Sequence, residues 1–549
     1  MIASSILQRW PVITLLLLCA VLYLPGQTQL PPMDRDEARF AQASKQMLAS
    51  GDYIDIRFQD DPRHKKPVGI YWLQTASVAA LNMPDSIAAY RVPSWLGALC
   101  AVLCCAALIR RATGNSALAL GGGMMLASTL LVVVEAHLAK TDAALLGVVT
   151  AMQYCLFRLL GGVRGEASGM RKNNEASSLA SSCLTPSPSP LPFWLLLGVG
   201  LLLKGPIAPL IALMTLLVLR YAFGERGVFA RVWSRAGFLL MLAVVAPWAV
   251  LIHQHTGGAF WYESVVVDLL SKAAGGQESH GAPPGYYTLL SPVLLWPWWF
   301  VIILALPFWR RLKHLAAVRF ATAWSVPTWL LFELMPTKLP HYILPALPGL
   351  VLFTAVAWQE CAADFFAARW RRGLTAGYAV FSAALLLAPV AALPIALKIP
   401  VLWWGIVPAL LGIFLVGLAW KKRRALPLLG AALSLYLALF FLHVPQAQPL
   451  WVSPRLAALI PPGTPVAMAG FSEPSAVFLI GTDVSLGGAE GAAAFLLAHP
   501  GGIAVVEQRQ MDAFRLAAGD LPIDNLGTVR GLNYSNGKWV ELTLWRNAN

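Results

Sequence analysis

Charged side chains are scarce in this chain. Asp, Glu, Lys and Arg together make up 12% of its 549 residues, against 58% hydrophobic residues. A soluble domain carries about twice that charged share, so a water-soluble globular class is excluded. Cysteine is sparse as well. The seven (Cys19, Cys100, Cys104, Cys105, Cys155, Cys183 and Cys361) all lie outside the polar C-terminal region, so they imply no disulfide framework, and none has zinc-ligand spacing. There is no P-loop, no Gly-x-Gly-x-x-Gly following a strand and no internal repeat. The first apolar run, Trp10–Leu24, follows Arg9 but is not followed by a small-x-small cleavage site. An uncleaved first span with a cytoplasmic N-terminus is therefore expected.

What is present is sequence suited to lipid. Apolar runs of about 16–23 residues, near the length that crosses a bilayer, recur near 10–25, 88–109, 117–134, 143–160, 191–203, 206–223 and 236–253. They continue near 286–308, 320–335, 343–360, 374–394, 402–420 and 425–443. The expected class is an all-α polytopic membrane protein with about thirteen transmembrane helices. The net charge is +14, and its cations sit in short loops: Arg110-Arg111, Arg158 to Lys172, Arg220 to Arg235, Arg310 to Arg319, Arg369 to Arg372 and Lys421 to Arg424. These fall on every second loop, as orientation by positive charge requires. The basic balance is thus a topological signal, and nucleic acid is not an expected partner. Pro67–Met83 is read as interfacial or re-entrant, because counting it as a span would invert everything after it.

Two further regions stand apart. Residues 161–190, rich in Ser, Pro, Gly and Asn, read as a flexible cytoplasmic loop. Residues 446–549 carry short apolar runs separated by Gly, Pro and Asp, and are expected to form a small α/β domain outside the cell membrane. The expected division is therefore 1–445 for the membrane region, including an outer loop at 26–87 with interfacial helices, and 446–549 for the outer domain.

With so few charges overall, their gathering between Asp34 and Trp72 calls for a function. That stretch holds Asp34, Arg35, Asp36, Glu37, Arg39, Lys45, Arg63, Lys65 and Lys66. On the expected topology the other polar residues near span ends fall on the same outer side: Glu135, His137, Lys140, Asp142, Lys204, His253, His255, Glu278, His280, Lys338, His341 and Tyr342. Ionisable groups at membrane depth are costly and tend to mark a pathway or site. Several cations beside few carboxylates suit an anionic, lipid-linked substrate, and a carboxylate among them can deprotonate an acceptor hydroxyl. Taken singly, each element also has a plainer role. The DRDEAR stretch fits a solvated helix with local ion pairs, Lys204 fits a snorkelling side chain and Tyr342 fits an aromatic belt. A transporter of a lipid-linked anion would also gather such groups, but paired broken helices or repeats with a midplane site usually mark transporters. A non-catalytic assembly protein working through its C-terminal region is a third class.

From Asp36 onward the residues resemble a known family. DEARFAQASKQMLASGDYID (36–55) followed by KKPVGIYW (65–72) is similar to the first outer loop of the protein O-mannosyltransferase and aminoarabinose-transferase superfamily. These are GT-C glycosyltransferases that use polyprenyl-phosphate sugars. TDAALLG (141–147), LLLKGPIA (201–208), APWAVLI (246–252), HGAPPGYY (280–287), LLWPWW (294–299) and TKLPHYILPALP (337–348) extend the resemblance over almost the whole membrane region. The C-terminal region matches only by position.

The resemblance implies a catalytic acid at Asp36 and a second site acid at Asp142. It implies donor-phosphate cations at Arg39 and Lys66, a donor pocket lined by Lys204, Lys338 and Tyr342, and a site histidine at His280. Glu37 and Lys65 are grouped with the substrate-binding residues. One departure stands out: aminoarabinose transferases have Glu before the motif lysine, where this chain has Lys65. A protonated lysine cannot ligate a metal, so the metal site that such a Glu and the loop histidine would form is not expected, although His280 remains a possible ligand. No other cofactor is implied. The implied reaction is inverting transfer from a polyprenyl-phosphate sugar to an envelope glycolipid such as lipid A or lipopolysaccharide, or alternatively to protein. Its implied place is the periplasmic face of a bacterial inner membrane.

Overall fold

The computed structural model describes residues 9–162, 188–270, 281–365, 369–422 and 424–547. Among these, seven helices are long and apolar enough to cross a membrane, and an eighth crossing results if one bent pair counts as a single span. Pro11–Tyr23, Leu191–Lys204 and Ile207–Ala222 are shorter apolar helices. Most of the loop expected at 161–190 lies outside the described residues, as do Glu278 and His280.

The longest early helix, Ile87–Thr113, carries Arg110 and Arg111 in its last turn and stops at Gly114, which adopts φ +69°. Both features suit a helix C-terminus: glycine accepts the left-handed cap, and the cations meet the negative end of the macrodipole. Thr141–Leu159 packs against it through two facing glycines. A Cβ on Gly97 would lie 2.5 Å from the Ala143 carbonyl oxygen, and one on Gly147 would lie 2.5 Å from that of Gly97. Small residues let the two backbones touch, which is how helices associate where lipid removes the hydrophobic drive. This contact fixes Asp142, in the first turn of its helix, relative to the preceding span.

The run expected as a single helix near 117–134 is broken. Ser116–Ala127 and Leu130–Ala136 meet at a 63° bend. The hydroxyls of Ser128 and Thr129 bond back to the carbonyls of Met124 and Met125 at 2.7 and 2.8 Å. The Leu130 N–H donates to the Trp296 carbonyl at 2.9 Å, and the Tyr436 hydroxyl donates to the Ser128 carbonyl at 3.0 Å. Hydroxyl back-bonding loosens the helical ladder, and neighbouring chains satisfy the freed backbone groups, which makes the break tolerable at membrane depth. Hydrophobicity alone could not reveal it.

In the C-terminal region, five strands form one mixed sheet in the order Ser485–Gly487, Val466–Ala469, Ile503–Glu507, Lys538–Asn547, Ile523–Asn533. The first three are parallel and the last two pairings antiparallel. Pro474–Ile480, Ala489–Ala498 and Met511–Ala518 accompany it as helices. Alternate residues of the Val466–Ala469 and Ile503–Glu507 strands enter two separate apolar clusters, one containing Met468 and Val505, the other Ala469 and Val506. The sheet is thus covered on both faces, as its parallel strands require. This region also grips the first loop. Gln42 bonds to Thr482 at 2.8 Å, Lys45 to the Phe478 carbonyl at 3.2 Å, and Gln59 to the carbonyls of Thr482 and Val484.

Candidate active site

Asp36 is the first residue of the Asp36–Ser50 helix, where a carboxylate suits the positive end of the helix dipole. One turn later Arg39 lines the same cavity. The chain then forms a short hairpin, Arg57–Phe58 against Asp61–Pro62, which delivers the HKKP turn. Buried His64 bonds to Asp55 at 3.0 Å and lies 3.2 Å from Glu263, while the Arg63 N–H donates to the Ile56 carbonyl at 2.7 Å. These contacts hold Lys65 and Lys66 at the cavity wall. Gly69 lets the following helix close on the end of Leu191–Lys204, since a Cβ there would sit 2.7 Å from the Leu202 carbonyl. That approach brings Lys204 to the same wall.

Among the described residues, five cations (Arg39, Arg63, Lys65, Lys66, Lys204) and three carboxylates (Asp36, Asp142, Asp268) line a cavity of about 90 Å³. A second chamber of about 60 Å³ shares Lys66, Asp142, Lys204, Asp268, His341 and Tyr342 with it. Beyond that shared wall the second chamber is apolar, lined by Leu145, Ile207, Phe332, Met335, Leu344 and Pro345. A charged chamber thus opens onto a greasy one, and the surplus of positive charge favours an anion at their junction.

The carboxylates differ in one respect. Asp142 is held by Lys204, and its other oxygen lies 3.6 Å from His341 Nε2. Asp268 is held by Lys66 at 3.0 Å. Just behind the wall, Glu135 is held by Lys140 at 3.1 Å. Asp36 alone among them has no hydrogen-bond or ion-pair partner in the described residues. Its side chain is open to the cavity while protein surrounds that cavity. This burial works against ionisation, but the nearby charges of Lys140, His341 and Arg63 outweigh it and hold the carboxyl below its usual range. Asp36 is an ionised, unclamped carboxylate.

The expected site residues divide. Asp36, Arg39, Lys65, Lys66, Asp142, Lys204 and Tyr342 all line the charged chamber, and the Lys204 ammonium also sits 5.2 Å over the Tyr342 ring. Glu37 does not line it. Its buried carboxylate takes two bonds from Arg91, at 2.8 and 3.0 Å, and accepts the N–H groups of Met33 and Ala139. Glu37 faces away because its neighbour Asp36 faces in, and Arg91 compensates its charge. Lys338 is likewise corrected. Its ammonium caps the carbonyls of Phe332, Glu333 and Met335 at the end of the Ala316–Leu334 helix, where a cation suits the dipole. His280 lies outside the described residues.

Asp268 escaped the sequence reading, although an acid inside the apolar run SVVVDLL was a usable signal. Arg63, Glu135, Lys140 and His341 were visible as polar residues near span ends, but their spatial neighbours were not. Glu135, Asp142 and His341 offer ligand atoms within 4.8 Å of one another. Lys140 and Lys204 each engage one oxygen of the two carboxylates, while Glu135 Oε2 has no hydrogen-bond partner among the described residues.

The fold around this cavity has a solved counterpart. Structurally the chain is similar to ArnT from Cupriavidus metallidurans bound to undecaprenyl phosphate, with a TM-score of 0.75 and 18% identity over 97% of this chain and 98% of that one. No family model matches the chain. In sequence it is similar to undecaprenyl phosphate-alpha-4-amino-4-deoxy-L-arabinose arabinosyl transferase 2 of Pseudomonas fluorescens, 26% identical over 363 residues, which are 64% of this chain and 57% of the relative. The corresponding transferase of Edwardsiella ictaluri is 27% identical over 348 residues, 62% of this chain and 57% of the relative. The match thus spans somewhat over half the length of these relatives. The superfamily resemblance read from the motifs is upheld by both comparisons, and the chain is a multi-pass membrane protein.

Proposed function

We propose that this protein is an inverting membrane glycosyltransferase that moves a sugar of the aminoarabinose type from undecaprenyl phosphate to lipid A or lipopolysaccharide. The donor assignment is supported by the paired chambers. The apolar one suits the first prenyl units, and the charged one suits the phosphate and sugar. The relatives' names, which specify undecaprenyl phosphate-linked aminoarabinose, point the same way. In this reading residues 1–445 form about thirteen spans. Residues 446–549 form an α/β domain on the periplasmic side of a bacterial inner membrane, and the cavity opens on that side.

The acceptor oxygen attacks the anomeric carbon, and the polyprenyl phosphate leaves. Arg39, Lys65 and Lys66 stabilise the charge that grows on the leaving phosphate, acting from fixed positions in a partly dry cavity. Lys66 reaches that phosphate by exchanging its partner Asp268. Asp142, with Lys204 and His341, shapes the wall opposite Asp36. Asp36 takes the proton of an acceptor hydroxyl; an acceptor phosphate, already ionised, would need it only for positioning. No catalytic metal is proposed, since Lys140 and Lys204 neutralise the carboxylates that would bind one.

The observation that carries this reading is the Asp36 carboxylate, unpaired among the described residues, in a cavity whose other described acids are held by lysines. The test is transfer of radiolabelled sugar from undecaprenyl-phosphate donors to lipid A in detergent, wild type against Asp36→Asn. Label in lipid A from the wild type and its loss in the variant is the expected result. Transport of the donor lipid across vesicles without transfer would replace the enzyme reading with a transporter.

A further inference from the structure

A partly open apolar space lies far from the reaction cavity. It has a volume of about 290 Å³ and is walled by the helices Ser116–Ala127, Trp299–Ala305, Leu347–Cys361, Ile406–Lys422 and Leu426–Ala438. His341 and Trp358 lie on the same helical stretch, and the spacing between them places Trp358, in this wall, roughly 25 Å below His341. The space therefore belongs to the opposite membrane face from the site.

Its lining is mostly apolar, and several of its polar groups are already engaged. The hydroxyl of Thr354 bonds to its own helix at the Leu350 carbonyl, and that of Thr375 bonds to the Arg371 carbonyl. The Trp298 indole N–H is taken by Ser128. A water needs two to four polar partners, so a space of this kind stays dry unless an apolar group fills it. One strong polar group stands at the edge. Arg424 lines the cavity, is exposed, and has no ion-pair partner among the described residues, with Lys421 and Lys422 exposed beside it. An apolar slot at membrane depth with a bare cation at its mouth matches a molecule with a hydrocarbon chain and an anionic head.

We propose that this cavity is a resident site for an anionic phospholipid, with one acyl chain between Gly121, Trp298, Val351 and Leu429 and the phosphate on Arg424. The head lies where juxtamembrane cations attract acidic lipids. The site is separate from the donor pocket and stands whether or not the proposed reaction does.

Gly121 provides the test. A Cβ there would meet no atom within 4 Å, so the wall accepts the first carbon of a Gly121→Leu side chain, which then competes for the space. Leucine is also the better helix former. Native mass spectrometry of the purified full-length protein, titrated with phosphatidylglycerol or phosphatidylethanolamine, reads occupancy directly. Wild type is expected to retain phosphatidylglycerol preferentially. Gly121→Leu is expected to weaken that retention by more than about ten-fold, because it displaces several buried methylenes. Arg424→Gln should weaken it about five-fold and erase the headgroup preference. The lipid-free Tm of Gly121→Leu should equal or exceed that of wild type, showing that the fold is intact. Undiminished phosphatidylglycerol in Gly121→Leu overturns the proposal. So does equal retention of both lipids by wild type, or preferential capture of undecaprenyl phosphate. Should Gly121→Leu fail to fold, Arg424→Gln decides: an unchanged preference in that variant overturns the anionic site.

Discussion

Asp36 and Glu37 are neighbours in the chain and face opposite ways. Asp36 looks into the charged chamber with no hydrogen-bond or ion-pair partner among the described residues, while Glu37 is buried under four donated hydrogen bonds, two of them from Arg91. The pair predicts two distinct phenotypes. Asp36→Asn should lower transfer by about 10²- to 10⁴-fold, the usual contribution of a positioned base to a hydroxyl acceptor, and leave Tm unchanged. Glu37→Ala should cost about 3–5 kcal/mol, because it strands the buried Arg91 charge. Thermal unfolding and the transfer assay, run on both variants, separate the two. An Asp36→Asn protein with full activity would remove Asp36 from the catalytic role.

The cations should act on binding of the donor lipid. Arg39→Gln and Lys66→Gln each remove one charged donor from the phosphate and should weaken undecaprenyl phosphate binding by about 10- to 100-fold. Raised salt should weaken wild-type binding less than it would on an open surface, since the chamber is partly walled off from solvent. Lys338→Gln, whose parent ammonium caps helix carbonyls, should lower Tm and change affinity little. Affinity titrations with the three variants check the division.

The junction between Asp34 and the C-terminal region should respond to pH. Asp34 accepts the Ser475 N–H at 2.8 Å, and its own N–H donates to the Tyr534 hydroxyl at 2.7 Å. Burial pushes the Asp34 carboxyl up to about 7, even though the Ser475 bonds pull the other way. The folded protein therefore binds this proton more tightly than the unfolded chain, whose carboxyl titrates near 3.8. The proton-linked stability is fully present below about pH 4 and is lost as pH rises through about 7. Tm profiles of wild type and Asp34→Asn should diverge over that window, with the variant lacking this part of the decline.

Chelators should not stop the reaction. Glu135 and Asp142 already carry lysine partners, so EDTA should leave the transfer rate within a factor of about two, well under the roughly ten-fold change that 1.4 kcal/mol represents. Loss of activity in EDTA with recovery on adding manganese or magnesium would reverse this expectation and assign the Glu135–Asp142–His341 group to a metal.

Much of the site was legible because its charges are rare. In a chain with 12% charged residues, each cation near a span end stands out, and Asp36, Arg39, Lys65, Lys66, Asp142 and Lys204 were all visible as candidates. Their membership in one cavity was not visible. It depends on Gly69 closing one helix onto Leu202 and on the Gly97–Gly147 contact aligning another. Glu37 and Lys338 were misjudged for the same reason in reverse: a charge in the right stretch can serve Arg91 or a helix end as readily as a substrate.

Run length and composition by themselves determined that this chain enters a membrane, because lipid tolerates long apolar segments and little else. The same scarcity of charge determined where a site had to be sought. Which carboxylate stays free was decided only in three dimensions. Among the described residues Asp142, Asp268 and Glu135 each meet a lysine contributed elsewhere in the fold or by a nearby turn while Asp36 meets none, and pairing is settled by distances of about 3 Å between side chains, to which sequence order is blind.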